Sequence, residues 1–586
     1  MGGYKQRLAQ HERDAKRFKG NGELARTLLD IWCTGQMSAA GLQRVAAAAW
    51  ADGVRCDQIL RFAKMGAWGA YPSNVHGALL TFLNSDSDLP QPKEIEVPAL
   101  DSKAHPPRIT CAMPVLLPHE TVSKMAYSYP EEFEQMFGMH KTKCFWEQVK
   151  TDDPRLLRNP IEHIDRRDVV PLWLHGDGVE FGTDSMLAFS FGSLLCDDQS
   201  MDSCLLIAGW PKGASCDGTW VEVYRAIAWS FTALWEGRYP DKDSNGKPMG
   251  SLAGKLLTPA GTRFYVWQLI GDLDYMCNVL KLPHWNKDEW CWLCNGSKKD
   301  ATRSFRDVSD APGWRMLSVE EMHESPASAH PFFSAMPGPV GGLRVGLDML
   351  HTIDLGIAGT LCSSVLFTWV FDHKGPKENV VAKIWAEVQE AYNTLGTPDR
   401  LNNLKLGTFT TRSPFRPDMK AKAAETRHLV PALAAVAQNR CRIPRCRTAV
   451  EMHCAASLEH LCRFYKLCES QSMFMDRPSA EQASEEMRHC LQHYAWLHVF
   501  WGRKSQDSAA FPIRPKLHWA YHIGQACKFQ NPRSTWTYKQ EDWLGKISAI
   551  ALSCAHGTRS VRIMKSFMTK YRAILNHRLR NPRHEA

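Results

Sequence analysis

The chain has 586 residues, 44% of them hydrophobic and 23% charged, which excludes a disordered polymer and leaves room for two to four domains with a large apolar core. Its net charge of +9 is unevenly spread: residues 401–450 hold ten Lys/Arg against Asp418 and Glu425, and residues 556–586 hold eight against Glu585. The remainder is net acidic, a balance that suits a polyanion handled through bound cations, although either basic stretch alone reads equally well as a solvated helix face. Nineteen cysteines dispersed behind an opening MGGYKQRLAQ with no apolar leader predict a reducing, intracellular setting. Gln6 stands where a myristoylation signal would carry Ser or Thr, so no lipid anchor is expected.

In chain order, residues 5–50 and 75–84 have helical apolar spacing, and a helical region over 1–84 is expected. The Pro-rich polar run 85–108 reads as a linker, and 109–165 as a helical segment that starts at Pro118 and Glu120 and docks on the next domain. From Asp168 the texture changes to short β-type runs, VVPLWLHGDG, MLAFSFGSLL and CLLIAGW. A helix, WVEVYRAIAWSFTALWEGRY, and a fourth strand, RFYVWQLIGD, follow, and GLRVGLDM is a fifth candidate. The apolar run Leu355 to Phe371 is short and rich in Gly, Ser and Thr, so it predicts a core helix and no membrane span.

Strand, strand, strand, helix, strand is the order that begins an RNase H-like fold. The expected class is therefore α/β: an RNase H-like mixed sheet flanked by helices, interrupted by a large all-α insertion. The core occupies 166–375 and 511–560, the insertion 376–510, and a basic helix or tail 561–586.

Asp177 in LHGDGVE and Asp272 in LIGDLDY each follow an apolar run and a glycine, so both are expected at strand ends, where carboxylates project into a ligand crevice. Ordinary turn residues explain either Gly-Asp pair alone. Glu541 opens the helical pattern YKQEDWLGKISAIALSCA, with Asp542 as its competitor, as Asp274 is for Asp272. Cys291 and Cys294 in WCWLCNGS form half of a tetrahedral zinc site, which His351 with His330 or His323 would complete; two reduced thiols without metal are the alternative. The further Cys and His residues of the insertion, Cys441 to Cys490, fit no closed zinc pattern and are expected to pack between helices. Arg440, Arg442, Arg445 and Arg447 gather around a proline and read as a phosphate-contact surface.

LHGDG, IGDLDY followed by CWLC, LDMLHTIDLG, a helical insertion, PKLHWAYHI and QEDWLG together resemble the transposases of CACTA and related cut-and-paste elements over about residues 110–575. The resemblance implies Asp177, Asp272 and Glu541 as catalytic carboxylates holding two Mg²⁺ or Mn²⁺ ions, with Asp348 and His351, and Lys516 with His518 and His522, as accompanying motifs. Two such ions would activate water to cut DNA and then a 3′-hydroxyl to join it. Lys516 or His518 would contact a phosphate or orient an acid, though a surface lysine and a core histidine are equally ordinary readings. DNA as partner, a homo-oligomer and a nuclear location follow from the same resemblance. Two other classes stand beside it: a DNA-binding protein that has lost catalysis, and an unrelated metal-dependent hydrolase using Asp177, Asp348, His351 and Asp354.

Overall fold

Short, nearly continuous apolar runs between Val169 and Trp210, buried over most of their length, build three consecutive antiparallel strands, β3 (Val169–Phe181), β4 (Asp184–Ser193) and β5 (Leu205–Pro211), numbered after an earlier hairpin, β1 (Lys93–Leu100) and β2 (Arg108–Val115). The computed structural model describes residues 22–66, 74–84, 87–101, 107–197, 199–412, 415–444, 447–504, 510–555 and 560–581. The helix Thr219–Glu236, closed by Gly237 in the left-handed conformation, leads to β6 (Arg263–Ile270), which joins the sheet parallel to β3, giving the order β5-β4-β3-β6. The protein is thus mixed α/β and mostly helical, with a four-strand mixed sheet and a large helical region toward the C-terminus.

The chain divides into two units, Met1–His140 with Asp168–Tyr265 and Lys539–Ala586, and Lys141–Arg167 with Val266–Tyr538, the division falling within β6. The first unit contains helices Glu23–Cys33, Ala39–Ala51, Asp57–Ala63 and Val75–Asn84; residues 1–21 of the stretch expected to be helical lie outside the described residues. The stretch expected as a linker instead contains β1: the alternating KEIEV pattern pairs in full register with β2, and Pro98 and Pro114 are tolerated in a ribbon of only two strands.

The C-terminal helix Ser560–Arg580 packs on β5 and β2 through Met564, Phe567, Met568 and Tyr571. Several of its basic groups are used internally. The Arg572 guanidinium is buried and donates to the carbonyls of Ser87, Leu89 and Pro90, Lys570 donates to Ser553, and Arg578 pairs with Asp202. Arg572→Ala is expected to cost about 2–4 kcal/mol, because three or more carbonyls lose a charged donor in a buried position, and a lowered thermal midpoint would report it.

In the second unit, Leu350–Ala358 is π-helical and continues as the α-helix Gly359–Phe371. This is long and apolar enough to cross a membrane, yet 83% of its apolar window is buried inside the protein, in line with a core helix. The helices Lys377–Leu395, Ala423–Arg442, Ala449–Ser470 and Arg477–Lys504 make up a large helical region, and Pro515–Ala526 packs against the last of them and against the π-helical segment. GLRVGLDM is not a full strand. A 3₁₀ turn over Gly341–Arg344 consumes its first half, leaving one parallel bridge between Val345 and Leu269.

Candidate metal centre and acidic sites

The second unit holds a buried group of four soft and borderline donors. Cys291 and Cys294 lie on a tight turn in which the backbone N–H of Leu293 donates to Cys291 Sγ at 3.4 Å and that of Gly296 to Cys294 Sγ at 3.3 Å. The Pro515–Ala526 helix, started by a proline in its first turn, carries His518 and His522 four residues apart and therefore on one face. His518 Nε2 lies 3.1 Å from Cys294 Sγ, His522 Nε2 lies 3.5 Å from Cys291 Sγ, and the two ring nitrogens are 3.0 Å apart. All four donor atoms lie within 4.8 Å of one another, and all four residues are buried.

The electrostatics suit a divalent cation. His518 Nδ1 sits 3.0 Å from the carbonyl of Phe305, so its N–H donates there and Nε2 turns a lone pair to the sulfurs. Burial holds the His522 ring neutral by lowering its pKa. A hydrogen bond from the adjoining Cys291 thiol, with His518 and His522 at hand, holds Cys294 well below the usual thiol range. Trp290 and Trp314 pack edge-on against His518, and Trp314 also against His522, which leaves a dry box around the donors. Two sulfurs and two imidazoles at this spacing fit Zn²⁺.

The ligand set differs from the sequence expectation. His351 is not part of it: its Nδ1 is bonded to Asp348 Oδ2 at 2.5 Å. His330 caps a short helix through Phe332 N, and His323 is exposed. His518, read from the sequence as a phosphate contact or core residue, is wholly buried against the cysteines and does not face a nucleic acid. The signal that was passed over is the i, i+4 spacing of the two histidines in LHWAYH, which puts both rings on one helix face.

Asp177 lies in the middle of β3, not at its end, because the strand runs on through Gly178 to Phe181. Gly178 leaves space for Lys212, whose Nζ would lie 2.5 Å from any β-carbon there. His175, two residues earlier and so on the same sheet face, was not foreseen; it, Asp177 and Glu541 place one ligand atom each within 4.8 Å of one another. Glu541 lies in the first turn of the helix Tyr538–Leu552. Its competitor Asp542 is exposed and engaged by Lys546 at 2.7 Å and by Ser200, so it is the outward member of the pair.

Asp272 belongs to the second unit, two residues beyond β6, where its Oδ1 accepts the N–H of Tyr275 at 2.7 Å. Asp274 is bonded to Asn278 on the following turn, but both carboxylates line a cleft of about 300 Å³ together with Trp285, His351, Arg514 and Lys516. Burial lowers the Lys516 ammonium from its usual range, against the opposing pull of Asp348 and Asp272. Gly356 makes room for it: a β-carbon there would meet Lys516 Cδ at 2.8 Å. Asp348 is held by the N–H groups of Leu350, His351 and Thr537, and it orients the His351 ring in turn.

Asp354 is not a cleft ligand. Tyr465, Trp536 and Tyr538 donate to its two oxygens, and burial raises its pKa to about 7. Against an unfolded value near 3.8, the folded state keeps a proton that the unfolded chain releases. The resulting stability is present below about pH 4 and is lost as the pH rises through 7, at about 1.4 kcal/mol per pH unit. Asp354→Asn is expected to flatten this part of the slope between urea midpoints taken at pH 5 and pH 8.

Among the arginines assigned to phosphate contact, Arg440 is engaged, stacked 4.1 Å over Trp369 and paired with Glu387 at 3.0 Å. Arg442 and Arg447 are exposed, and Arg445 lies outside the described residues. No family model and no curated protein matches the chain, so its function is read from its own residues.

Proposed function

We propose that the chain is a DDE-type DNA transposase, or a nuclease derived from one, built on an RNase H-like core and similar to the CACTA-type enzymes. The observation that carries this reading is the meeting of Asp177 with Glu541 across 363 intervening residues of sequence numbering, one on the central strand and one on a helix after the insertion. Three antiparallel strands, a helix and a fourth strand parallel to the first support the RNase H-like assignment.

On this reading Asp177 and Glu541 supply hard oxygen ligands of the kind that Mg²⁺ or Mn²⁺ requires, and Asp272, the third carboxylate that the resemblance implies, belongs to the second unit. Those ions, when bound, supply Lewis acidity and lower the pKa of water for in-line attack on a phosphodiester. The chain's own residues hold and orient. Lys516, desolvated beside Asp272, offers a cation to a phosphate oxygen, and Asp348 fixes the tautomer of His351 so that Nε2 faces the same cleft. The Cys291, Cys294, His518 and His522 group has a structural role: it ties the loop after β6 to the helix that carries Lys516, and so sets the wall of the cleft. DNA as partner, oligomeric action and a nuclear location go with this proposal.

The test is a Mn²⁺-dependent nicking assay on DNA carrying the flanking element ends, comparing the native chain with Lys516→Gln. Nicking by the native chain, slowed about tenfold or more in the variant through loss of one charge-assisted phosphate contact, supports the reading. DNA binding without nicking by either protein supports instead a DNA-binding protein that no longer catalyses.

A further inference from the structure

His175 and Asp177 interrupt the apolar run of β3, and both are buried in the middle of the sheet. Side chains two residues apart on a strand share a face, so the imidazole and the carboxylate project to the same side. Pairing with β4 sets Ser190 opposite His175 and Ala188 opposite Asp177, on that same side. The other side is aromatic: Phe189 packs on Trp220 and Tyr224, and Phe191 on Phe231, all three from the helix Thr219–Glu236. The polar side instead receives the helix Tyr538–Leu552, tied to β3 where Ser548 donates to the carbonyl of Glu180 at 2.6 Å. Its first turn brings in Glu541, and one ligand atom each from His175, Asp177 and Glu541 lies within 4.8 Å of the other two. All three residues belong to the first unit.

We propose that His175 is the third protein ligand of the divalent ion held by Asp177 and Glu541, and that its imidazole makes this site select Mn²⁺ over Mg²⁺. The inference rests on the reading of those two carboxylates as metal ligands and adds the group that sets ion preference. Two carboxylates this close repel each other, and a shared cation removes the repulsion. Mg²⁺ keeps an octahedral shell of oxygens and gives up water reluctantly, so a nitrogen fixed in a sheet is a poor ligand for it. Later first-row ions accept imidazole readily. Three protein donors also leave coordination positions open for water or a phosphate oxygen, which the closed set of two cysteines and two histidines does not. Ser190 supplies a second observation: it is wholly buried, and its Oγ has no hydrogen-bond partner among the described residues. A water carried in by the ion would give that hydroxyl a partner, and the small Ala188 beside it keeps the space open. Asp272 is not needed to complete this donor set.

The experiment is pulsed electron paramagnetic resonance of Mn²⁺ bound to the full chain labelled with ¹⁵N-histidine, for the native protein, His175→Gln and Glu541→Gln. Native protein is expected to show the nitrogen coupling of a directly bound imidazole. His175→Gln is expected to lose that coupling, to bind Mn²⁺ about tenfold more weakly, and to lose about tenfold of the native preference for Mn²⁺ in competition with Mg²⁺. Should His175→Gln fail to fold, Glu541→Gln reads the same site from a partly exposed position: at a Mn²⁺ level that half-saturates the native chain, its histidine coupling is expected to fall together with its bound Mn²⁺. Native protein that binds Mn²⁺ without histidine coupling overturns the proposal and leaves Asp177 and Glu541 as ligands. A coupling that survives in His175→Gln, or that Glu541→Gln leaves untouched, comes from other histidines and overturns it too. A native chain that binds no Mn²⁺ overturns both the proposal and the reading beneath it.

Discussion

With Zn²⁺ as the proposed occupant of the Cys291, Cys294, His518 and His522 group, Cys294→Ser is expected to abolish its binding and to lower the stability of the second unit by several kcal/mol. The magnitude follows from what the metal would do. A structural zinc contributes about 10–16 kcal/mol of binding free energy in small domains, and a serine oxygen is a far poorer ligand than a thiolate. In a large helical unit with its own core, part of that is recovered by residual packing, which leaves the loss at roughly a third of the small-domain value. The damage is predicted to be local first. Trp290, Trp314 and Trp519 pack about the two histidines, so the variant should show a changed tryptophan emission before global unfolding. Metal content by mass spectrometry and melting with and without a zinc chelator check it: the chelator should lower the native midpoint and leave that of the variant unchanged.

The second large effect concerns the acids. On the proposed nuclease reading, Asp177→Asn and Glu541→Gln are each expected to reduce metal-dependent nicking by about 10³-fold or more, since several kcal/mol of transition-state charge stabilisation pass through ligands of this kind. The two losses should not add, because either substitution disables the same ion. Asp542→Asn, one residue away, is expected to leave nicking within about threefold, because its carboxylate is committed to Lys546 and Ser200 at the surface. Initial rates with Mn²⁺ on a common DNA substrate separate these outcomes.

Much of the sheet was legible because its signal is local. Short apolar runs closed by polar or glycine residues mark β3, β4 and β5, and a helical period ending at Gly237 marks the segment that returns the chain to a parallel strand. Where a local signal competes with another, reading fails. The prolines at 98 and 114 concealed the alternation of β1 and β2, and the glycines of GLRVGLDM concealed a turn inside an apolar run. The pairing of Asp177 with Glu541 was expected from the resemblance, but His175 was missed, since a histidine inside an apolar strand looks like core until the opposite face of the site is known. The candidate metal ligands show the same limit more sharply. Half of the set, Cys291 and Cys294, has a spacing of its own, whereas His518 and His522 arrive from more than two hundred residues away, and only folding tells them apart from His351, His330 and His323. The basic stretches were overvalued for a simple reason: composition counts charges, and Arg440, Lys570, Arg572 and Arg578 spend theirs on partners inside the protein.

The proposed transposase reading stands on Asp177 and Glu541 holding divalent metal in the first unit. Electron paramagnetic resonance of Mn²⁺ bound to the chain with cleavable DNA counts the bound ions directly. The account predicts bound Mn²⁺ in the native complex and less in both Asp177→Asn and Glu541→Gln; a manganese count that Glu541→Gln leaves unchanged would contradict it.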